Sequence, residues 1–485
     1  MTAVLTRTPV ATWPRSAWLF ATIAAAFVVA VGMGASVYVA LAAAALALIT
    51  VLGVVGVHPM LALMIIAVFF ELARLGGATL TRVVAPVALL VLVLEVMRHG
   101  TGLAWNGLLV SVWAYTTWAI ASGMWTVDTG ATLYLLQSLA IALVFMVAFA
   151  VLPESIEQLE KTLLVMIVFS VIVGLIAIGA FMGVLTFELF TQGGRAQGVT
   201  GDPNFFANVQ LVCLPIAIVL AGEARSRWSR LALIGAAQVI IASVLVTLSR
   251  GGFLAAIAQV LLLVTMRSGT LFRSSRDKRL LILVLAAGFA FVMSGETLRS
   301  DVTKRFESIF SPSEDDSGSA NGSGRETIWA GARVSIAERP LLGLGYGAFA
   351  PVSNDLILRA PDADLTHFQL KEDGIEVHNV YLSTTAELGY PGLLLFGSML
   401  VSMVALNRRT RRLARAAGAG MVARLAAALD VSLVGWAISS IFISTETSRP
   451  LWIIFGLSLT LARLVPAAPP RARANGVVAP VGVNP

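Results

Sequence analysis

Four basic side chains that could bind or transfer a phosphate-containing group lie in the polar connections of a very apolar chain. They are Arg195, Arg250, Arg325 and His378. Arg250 follows Ser249 in a tight turn between two apolar stretches, where a guanidinium near lipid is costly unless it is paired or solvated. Arginine presents a fixed fork of donors that binds phosphate oxygens in a bidentate manner, whereas lysine offers only a point charge. These residue types therefore predict a site for an anionic, membrane-embedded substrate.

The composition of the chain is that of a polytopic membrane protein. Of its 485 residues, 58% are hydrophobic and 13% are charged, and the mean hydropathy is +0.86. A soluble domain carries about 25% charged residues. The first apolar run follows Arg7 and Arg15, and we expect a retained helix rather than a signal peptide, because further spans follow at once. The single cysteine, Cys213, excludes a disulfide within the chain.

We predict an all-α fold with about twelve to fourteen transmembrane helices, since apolar runs able to cross about 30 Å of hydrocarbon recur along the chain. The predicted spans lie near residues 17–33, 35–56, 58–74, 83–98, 103–122, 131–152, 160–184, 204–222, 229–248, 251–267, 279–295, 380–405, 421–445 and 449–465. One large external loop domain is predicted between the eleventh and twelfth spans.

This count divides the chain into five parts. Residues 1–16 form a cytoplasmic N-terminus, and residues 17–295 form the N-terminal spans of the membrane domain. Residues 296–379 form the external loop domain, in which the stretch 311–324 reads as a flexible acidic linker. Residues 380–465 form the C-terminal spans, and residues 466–485 form a flexible cytoplasmic tail.

Lysine and arginine in the short connections predict the orientation, because they favour the cytoplasmic side. They cluster near residues 225–230, 267–279 and 408–415, in connections that alternate along the span order. Arg74 and Arg82 would then face outside, against the rule. The net charge of +7 is thus a topology signal, and no nucleic-acid partner is expected.

The same topology places four polar connections on the outer face. They hold Arg195, Arg250, the loop with Arg325 and His378, and the last turn with Glu446 and Arg449. We expect them to converge on one site beneath the external loop. The supporting residues predicted around this site are Asp202, Asn204, Asn379, Glu446 and Arg449.

Several of these residues also have a purely structural interpretation. Asp202 stands before a proline and would cap the following helix, and His378 with Asn379 would do the same further along the chain. Arg195 would be a solvated loop residue between glycines. Arg250 would extend its side chain to the membrane interface.

The remaining polar residues have structural interpretations as well. Arg325 with Glu326, and Glu446 with Arg449, would form local ion pairs. The glycine string from Gly343 to Gly347 resembles a nucleotide-binding loop. It follows no strand and faces outside, so we interpret it as a turn.

The order of these motifs resembles the O-antigen ligase and polymerase family, whose members are bacterial glycan-transferring membrane enzymes. The resemblance covers roughly residues 105–460. It rests on Arg195-x-x-Gly198, Asp202-Pro203-Asn204, Ser249-Arg250-Gly251, Arg325 with Trp329, the stretch from Pro340 to Gly347, His378-Asn379 and Glu387-Leu388-Gly389, with Trp113 to Trp118, Ser122 and Trp125 ahead of them.

The resemblance implies an inverting glycosyl transfer on the outer face of the bacterial cytoplasmic membrane, with no metal and no cofactor. The donor would be a glycan on undecaprenyl diphosphate, and the acceptor a glycan, a lipid or a protein. Arg195, Arg250 and Arg325 would bind the diphosphate and stabilise its charge as it leaves, with Arg250 counted among the catalytic residues. His378 would be the general base, with a pKa near neutrality, and His367 is the other external histidine.

Three alternatives remain open at this point. A ligase and a polymerase of this family differ in the acceptor, for which no motif is visible. A glycolipid flippase or secondary transporter would use carboxylates deep in the membrane, and Glu71 and Glu95 lie in apolar runs. A polyprenyl-phosphate monosaccharide transferase would carry an acidic pair in its first external loop, near residues 32–36, and this chain has none there.

Overall fold

The computed structural model describes most of residues 58–266 and 323–465. The gaps within these ranges are residues 72–73, 76–77, 101, 186–189, 193, 367 and 445–446, and between residues 267 and 322 only scattered positions are described. The predicted spans 17–33 and 35–56, most of the span 279–295, residues 311–322 of the predicted linker and the tail 466–485 therefore lie outside the described residues. The last two linker residues, 323 and 324, begin a helix. His367 and Glu446 lie outside them as well.

The described part is all-α, as the sequence predicts. The helices are α1 (Pro59–Phe69), α2 (Leu80–His99), α3 (Gly107–Ala121), α4 (Thr129–Val151), α5 (Ile156–Phe181), α6 (Pro203–Glu223), α7 (Arg227–Val246), α8 (Arg250–Thr265), α9 (Ser323–Glu338), α10 (Phe349–Arg359), α11 (Val380–Ala416), α12 (Gly420–Ser439) and α13 (Arg449–Leu464). Two short antiparallel pairs, β1 (Arg74–Leu75) with β2 (Ala78–Thr79) and β3 (Thr191–Gln192) with β4 (Arg195–Ala196), lie between helices.

Seven of the described helices are long and apolar enough to cross a membrane. They are α2, α4, α5, α6, α7, α11 and α12, and the shorter helices α1 and α8 are apolar too. Each predicted span between residues 58 and 266 and between 380 and 465 contains a helix, but the helices in the predicted spans 58–74, 103–122, 251–267 and 449–465 have only 11, 15, 16 and 16 residues. The protein is therefore a membrane protein, while the total of twelve to fourteen spans and the side that each loop faces stay predictions.

Helix α6 lies at the centre of the bundle. In its most apolar stretch of 18 residues, 89% of the residues are buried inside the protein. The helix packs against α5, α7, α8 and α12. Buried polar side chains join it to its neighbours, because in an apolar surrounding an amide finds its partner across a helix interface. Asn208 donates to Ser439 Oγ at 2.6 Å. Gln259 on α8 donates to the carbonyls of Leu211 at 2.9 Å and Val431 at 3.1 Å.

Helix α11 is broken near its start. Gly389 has φ 68° and ψ −176°, and Pro391 has no N–H to donate. The carbonyl of Glu387 therefore has no donor four residues further on, and it accepts a hydrogen bond from the N–H of Gly345 at 2.9 Å. The break exposes backbone acceptors to which the preceding loop binds.

The glycine string from Gly343 to Gly347 is a turn, in agreement with the prediction. Its three glycines all have positive φ, and a Cβ at Gly343 would lie 2.3 Å from the carbonyl carbon of Glu387. The turn and the break are further tied to helix α3 and the turn after it. Trp118 Nε1 donates to Leu388 O at 2.9 Å, Trp125 Nε1 to Leu342 O at 2.9 Å, and the N–H of Tyr346 to Ser122 Oγ at 3.0 Å.

Residues 323–379 form a small helical unit at the start of α11. Helices α9 and α10 pack through a core that includes Ile328, Phe349 and Ile357. Trp329 Nε1 donates to the carbonyl of Val377 at 3.1 Å, and Ser335 Oγ donates to that of Ala386 at 3.2 Å. The unit is therefore attached to the residues on both sides of the α11 N-terminus.

Several arginine-rich connections meet at the other end of the bundle. Arg424 at the start of α12 pairs with Glu223 at the end of α6. Arg463 near the end of α13 donates to the carbonyl of Val151 at the end of α4, at 3.1 Å. The opposite ends of these helices, away from the contacts of Arg424 and Arg463, are where residues 194–202, 247–250, 443–444 and 447–449 lie.

The packing of Gly343 predicts a large loss of stability in Gly343→Ala. A methyl group there meets backbone at a positive φ, so we expect a loss of about 2–4 kcal/mol in the free energy of unfolding. Gly397→Ala is the control, because nothing lies within 4 Å of its Cβ position in α11. It should be neutral or stabilise the protein by about 0.5–1 kcal/mol. Thermal unfolding of the two purified variants measures this, and equal midpoints would contradict the described packing.

The orientation is tested by labelling two exposed positions. Thr366→Cys lies in the 323–379 unit, and Ala416→Cys lies at the far end of α11, and both positions are exposed. A membrane-impermeant thiol reagent should label only Thr366→Cys in intact spheroplasts, and both variants after lysis. The native Cys213 is 1% exposed and should give little background. Labelling of Ala416→Cys alone would invert the orientation.

Candidate active site at three helix N-termini

The predicted site residues meet where α6, α8 and α11 begin. Asp202, Ser249 and Asn379 are the respective N-caps, and each accepts hydrogen bonds from backbone N–H groups of the first turn. A helix N-terminus carries a partial positive charge. Three of them beside arginines favour an anion at this end of the bundle.

Arg195 is 7% exposed, so the interpretation as a solvated loop residue is wrong. Its Nε donates to the carbonyl of Thr247 at 3.0 Å, and its Nη2 donates to Asn204 Oδ1 at 3.1 Å. Ser249 Oγ donates to the same Asn204 oxygen at 2.8 Å. The Asn204 side chain therefore holds the Arg195 strand and the turn before α8 together.

Arg250 is the first residue of α8, and the glycines after it allow the turn to pack closely. A Cβ at Gly251 would lie 2.7 Å from the ring of Phe442, and one at Gly252 would lie 2.8 Å from the Cβ of Ala207 on α6. Leu248 just before the turn has φ 49°. This packing fixes the direction from which Arg250 enters the site.

Arg325 lies in the first turn of α9 and is held over the ring of Phe442, with 5.8 Å from its Cζ to the ring centroid. Burial and the neighbouring charge of Arg250 lower its pKa to about 10, while Asp202 opposes the shift. It therefore stays protonated at neutral pH. Its Nε is buried and has no hydrogen-bond partner among the described residues, a donor that an incoming anion could use.

His378 lies beside these arginines in a left-handed backbone conformation with φ 53°. Its N–H donates to Ser444 Oγ, at 3.1 Å, in the turn between α12 and α13. Burial, the charge of Arg325 and, more weakly, that of Lys371 lower its pKa to about 4, with Asp202 acting in the opposite direction. The expectation of a pKa near neutrality is therefore wrong, and the imidazole is neutral at pH 7.

The helix cap before α11 is Asn379, not His378. Asn379 Oδ1 accepts from the N–H groups of Tyr381 at 3.0 Å and Leu382 at 3.1 Å. His378 precedes the cap, so its side chain is not used to begin the helix.

Asp202 is a helix cap, and its carboxylate also places a negative charge beside the basic residues of the site. Its Oδ1 accepts from the N–H groups of Asn204 and Phe205, each at 2.8 Å. Its charge also acts on Arg325, His378 and Glu376. The capping interpretation is thus correct but incomplete.

Glu376 and Lys371 are site neighbours that the sequence analysis missed. The charge of Lys371 acts on the carboxyl group of Glu376 and on the imidazole of His378. Lys371 is exposed, and burial raises the pKa of the Glu376 carboxyl, with the charge of Asp202 acting in the same direction. The only sequence signal for Glu376 is its position two residues before His378.

Arg449 is an anchor whose partner is Glu71. Its Nη1 lies 3.1 Å from Glu71 Oε1, and its Nη2 donates to Thr81 Oγ1 at 3.1 Å. The side chains are only 11% and 16% exposed. The predicted partner Glu446 lies outside the described residues. The pair joins the α1–α2 region to the start of α13, next to the turn that carries Ser444.

The arrangement brings Arg325 and His378 of the 323–379 unit next to Arg250 and the capping Asp202 at the N-termini of α8 and α6. Arg195 and Asn204 brace it from one side, and the turn with Ser444 braces it from the other. Such a site can bind a multiply charged anion and can accept a proton from a hydroxyl group beside it.

Comparison with known proteins agrees with the sequence resemblance. Residues 235–397 match the family model described as O-antigen ligase. This segment contains Arg250, Arg325 and His378, while Arg195 precedes it. No curated protein sequence matches the chain. The protein is therefore a membrane protein that is similar to the O-antigen ligase family over residues 235–397, and this similarity supports a glycosyltransferase of the ligase or polymerase type.

Proposed function

We propose that the protein transfers a glycan from undecaprenyl diphosphate to an acceptor hydroxyl on the outer face of the bacterial cytoplasmic membrane. One observation carries the proposal: Arg325 is largely buried beside the like-charged Arg250, and its Nε has no partner among the described residues. Holding the two guanidinium groups of Arg250 and Arg325 close together costs free energy, and a bound diphosphate offsets this cost. The O-antigen ligase match over the same segment supports this choice of anion.

The reaction that fits these residues is an inverting displacement without a metal. The acceptor oxygen attacks the anomeric carbon of the donor sugar, and the bond from that carbon to the diphosphate oxygen breaks. Arg250 and Arg325 stabilise the charge that develops on the leaving diphosphate. The acceptor proton passes to the imidazole of His378, which is the general base.

The proposal also gives a role to the low pKa of His378. A neutral imidazole is ready to accept a proton, but a conjugate acid with a pKa near 4 is a weak acceptor. The negative charges of a bound diphosphate offset the charge of Arg325, so they raise this pKa toward neutrality. The base therefore becomes effective when the donor is in place.

The other predicted residues position these groups. Arg195 and Asn204 hold the turn before α8, so we assign Arg195 a bracing role in addition to diphosphate binding. Asp202 limits the repulsion between the arginines, Asn379 begins α11, and Arg449 anchors the last turn. For Glu446 in that turn we keep the role predicted from the sequence, that of a residue that supports the site.

The flippase or transporter alternative loses one of its two carboxylates. Glu71 is bound to Arg449 at 3.1 Å, so it is engaged in an ion pair. The choice between ligase and polymerase depends on the acceptor. Lipid analysis of a deletion strain separates them, since single lipid-linked repeats accumulate without a polymerase and long lipid-linked glycans accumulate without a ligase. Unchanged lipid-linked glycans would refute the proposed function.

Substitutions of Arg250 and His378 should impair different parts of the reaction, namely stabilisation of the diphosphate and removal of the acceptor proton. Arg250→Lys keeps the charge but loses the planar fork, so we expect about 2–4 kcal/mol less stabilisation, or about 30- to 1000-fold slower transfer. His378→Ala removes the base and should cost on the order of 10²–10⁴-fold in turnover with donor affinity kept. Single-turnover kinetics and donor binding by the purified variants measure both effects.

Arg333→Lys is the matched control for the loss of a guanidinium fork. Arg333 lies two turns after Arg325 on α9, is about half exposed and pairs with Asp362 on the surface. Its substitution should leave transfer within about twofold of wild type, because a surface ion pair contributes little. Normal transfer by His378→Ala would remove the general-base assignment and make Glu376 the next candidate.

The lowered pKa of His378 predicts an unusual pH dependence. The acid limb of kcat/KM reports the free enzyme, so it should fall well below pH 6.5, whereas the acid limb of kcat reports the donor complex and should lie higher. Lys371→Gln removes a cation that lowers this pKa, so it should shift the limb of kcat/KM upward by a few tenths of a pH unit. Glu372→Gln is the exposed neighbour control. Limbs at the same pH for both parameters would contradict the donor-linked base.

A further inference from the structure

A groove with a basic end runs between α11 and α12 at the arginine-rich end of the bundle. Its volume is about 570 Å³. The apolar walls include Val401 and Val404 from α11 and Leu433 and Val434 from α12, and Arg408 and Arg412 lie at one end. The two arginines are four residues apart and so share one face of α11.

The acid beside these two arginines offsets their charges only in part. Asp430 interacts electrostatically with Arg408. Its Oδ1 already accepts from Asn407 at 2.9 Å, and its Oδ2 pairs with Arg411 at 3.1 Å. Within the described part of the chain, Arg408 and Arg412 form no ion pair of 4.0 Å or less. The groove therefore combines an apolar wall with open guanidinium donors.

We propose that this groove binds one anionic phospholipid, with its phosphate between Arg408 and Arg412 and an acyl chain along the apolar wall. A hydrocarbon tail alone, such as a polyprenyl chain, gains nothing from two guanidinium groups. A soluble anion gains nothing from the apolar wall. Both features together fit a lipid with a negative headgroup in the membrane leaflet on the arginine side.

This site is separate from the proposed active site. It lies toward the end of α11 that is remote from His378, and α11 crosses the bundle between them. The bound lipid would contact both α11 and α12. The inference stands whether or not the glycan transfer is correct.

Native mass spectrometry of the full chain, titrated with phosphatidylglycerol and phosphatidylcholine of equal chain length, tests it. Wild type should bind one phosphatidylglycerol in preference. Arg408→Ala with Arg412→Ala should weaken that first binding by about 30-fold, since a basic side chain at a membrane surface contributes about 1 kcal/mol and about 1.4 kcal/mol is tenfold. Val404→Trp fills the groove with both arginines kept, and should also remove the first binding.

Arg409→Ala with Arg415→Ala is the control, because it removes the same charge from exposed positions of the same helix end outside the groove. It should bind phosphatidylglycerol as wild type does. Equal weakening in the two double variants would show a general charge effect and overturn the site. Equal binding of both lipids by wild type, or unchanged binding by the groove variants, would overturn it too.

Discussion

The repulsion between the guanidinium groups of Arg250 and Arg325 is the interaction on which the rest of the site depends. Their charges act on each other in a partly buried place, where water screens them poorly. Asp202 supplies one opposing charge, and its oxygen is shared with the first N–H groups of α6. The site therefore carries an excess of positive charge. Burial and, after it, the charge of Arg325 lower the pKa of His378, so its imidazole is neutral at pH 7.

The like-charged side chains of Arg250 and Arg325 stay close together only if the surrounding backbone is rigid. The brace through Asn204 fixes the turn before α8, and the contact of Gly251 with Phe442 fixes its distance from the last turn. The other half of the site depends on the break in α11. There, Gly345 binds the carbonyl that Pro391 leaves free, so the 323–379 unit is attached to the helix that begins just after His378. The residues that would bind the substrate are thus held in position by the contacts of Asn204, by the Gly251–Phe442 contact and by the break in α11.

Much of this arrangement could be predicted from the sequence, because apolar runs predict helices and Asp202 before a proline predicts a cap. The convergence of Arg250, Arg325 and His378 also followed, since the spans place them at one end. The sequence could not predict that Arg195 is buried against a carbonyl or that Glu71 pairs with Arg449 across the bundle. Both contacts join distant segments, and local patterns carry no information on them. The low pKa of His378 depends on burial and neighbours in the same way.

In our proposal, Arg250 and Arg325 form a binding site for a lipid-linked diphosphate. Equilibrium binding of undecaprenyl diphosphate and undecaprenyl monophosphate to the purified protein tests this site. We predict that wild type prefers the diphosphate by about tenfold or more, which is about 1.4 kcal/mol, and that Arg325→Gln loses this preference while it still binds the monophosphate. Equal affinity of wild type for both lipids, or an undiminished preference in Arg325→Gln, would contradict it.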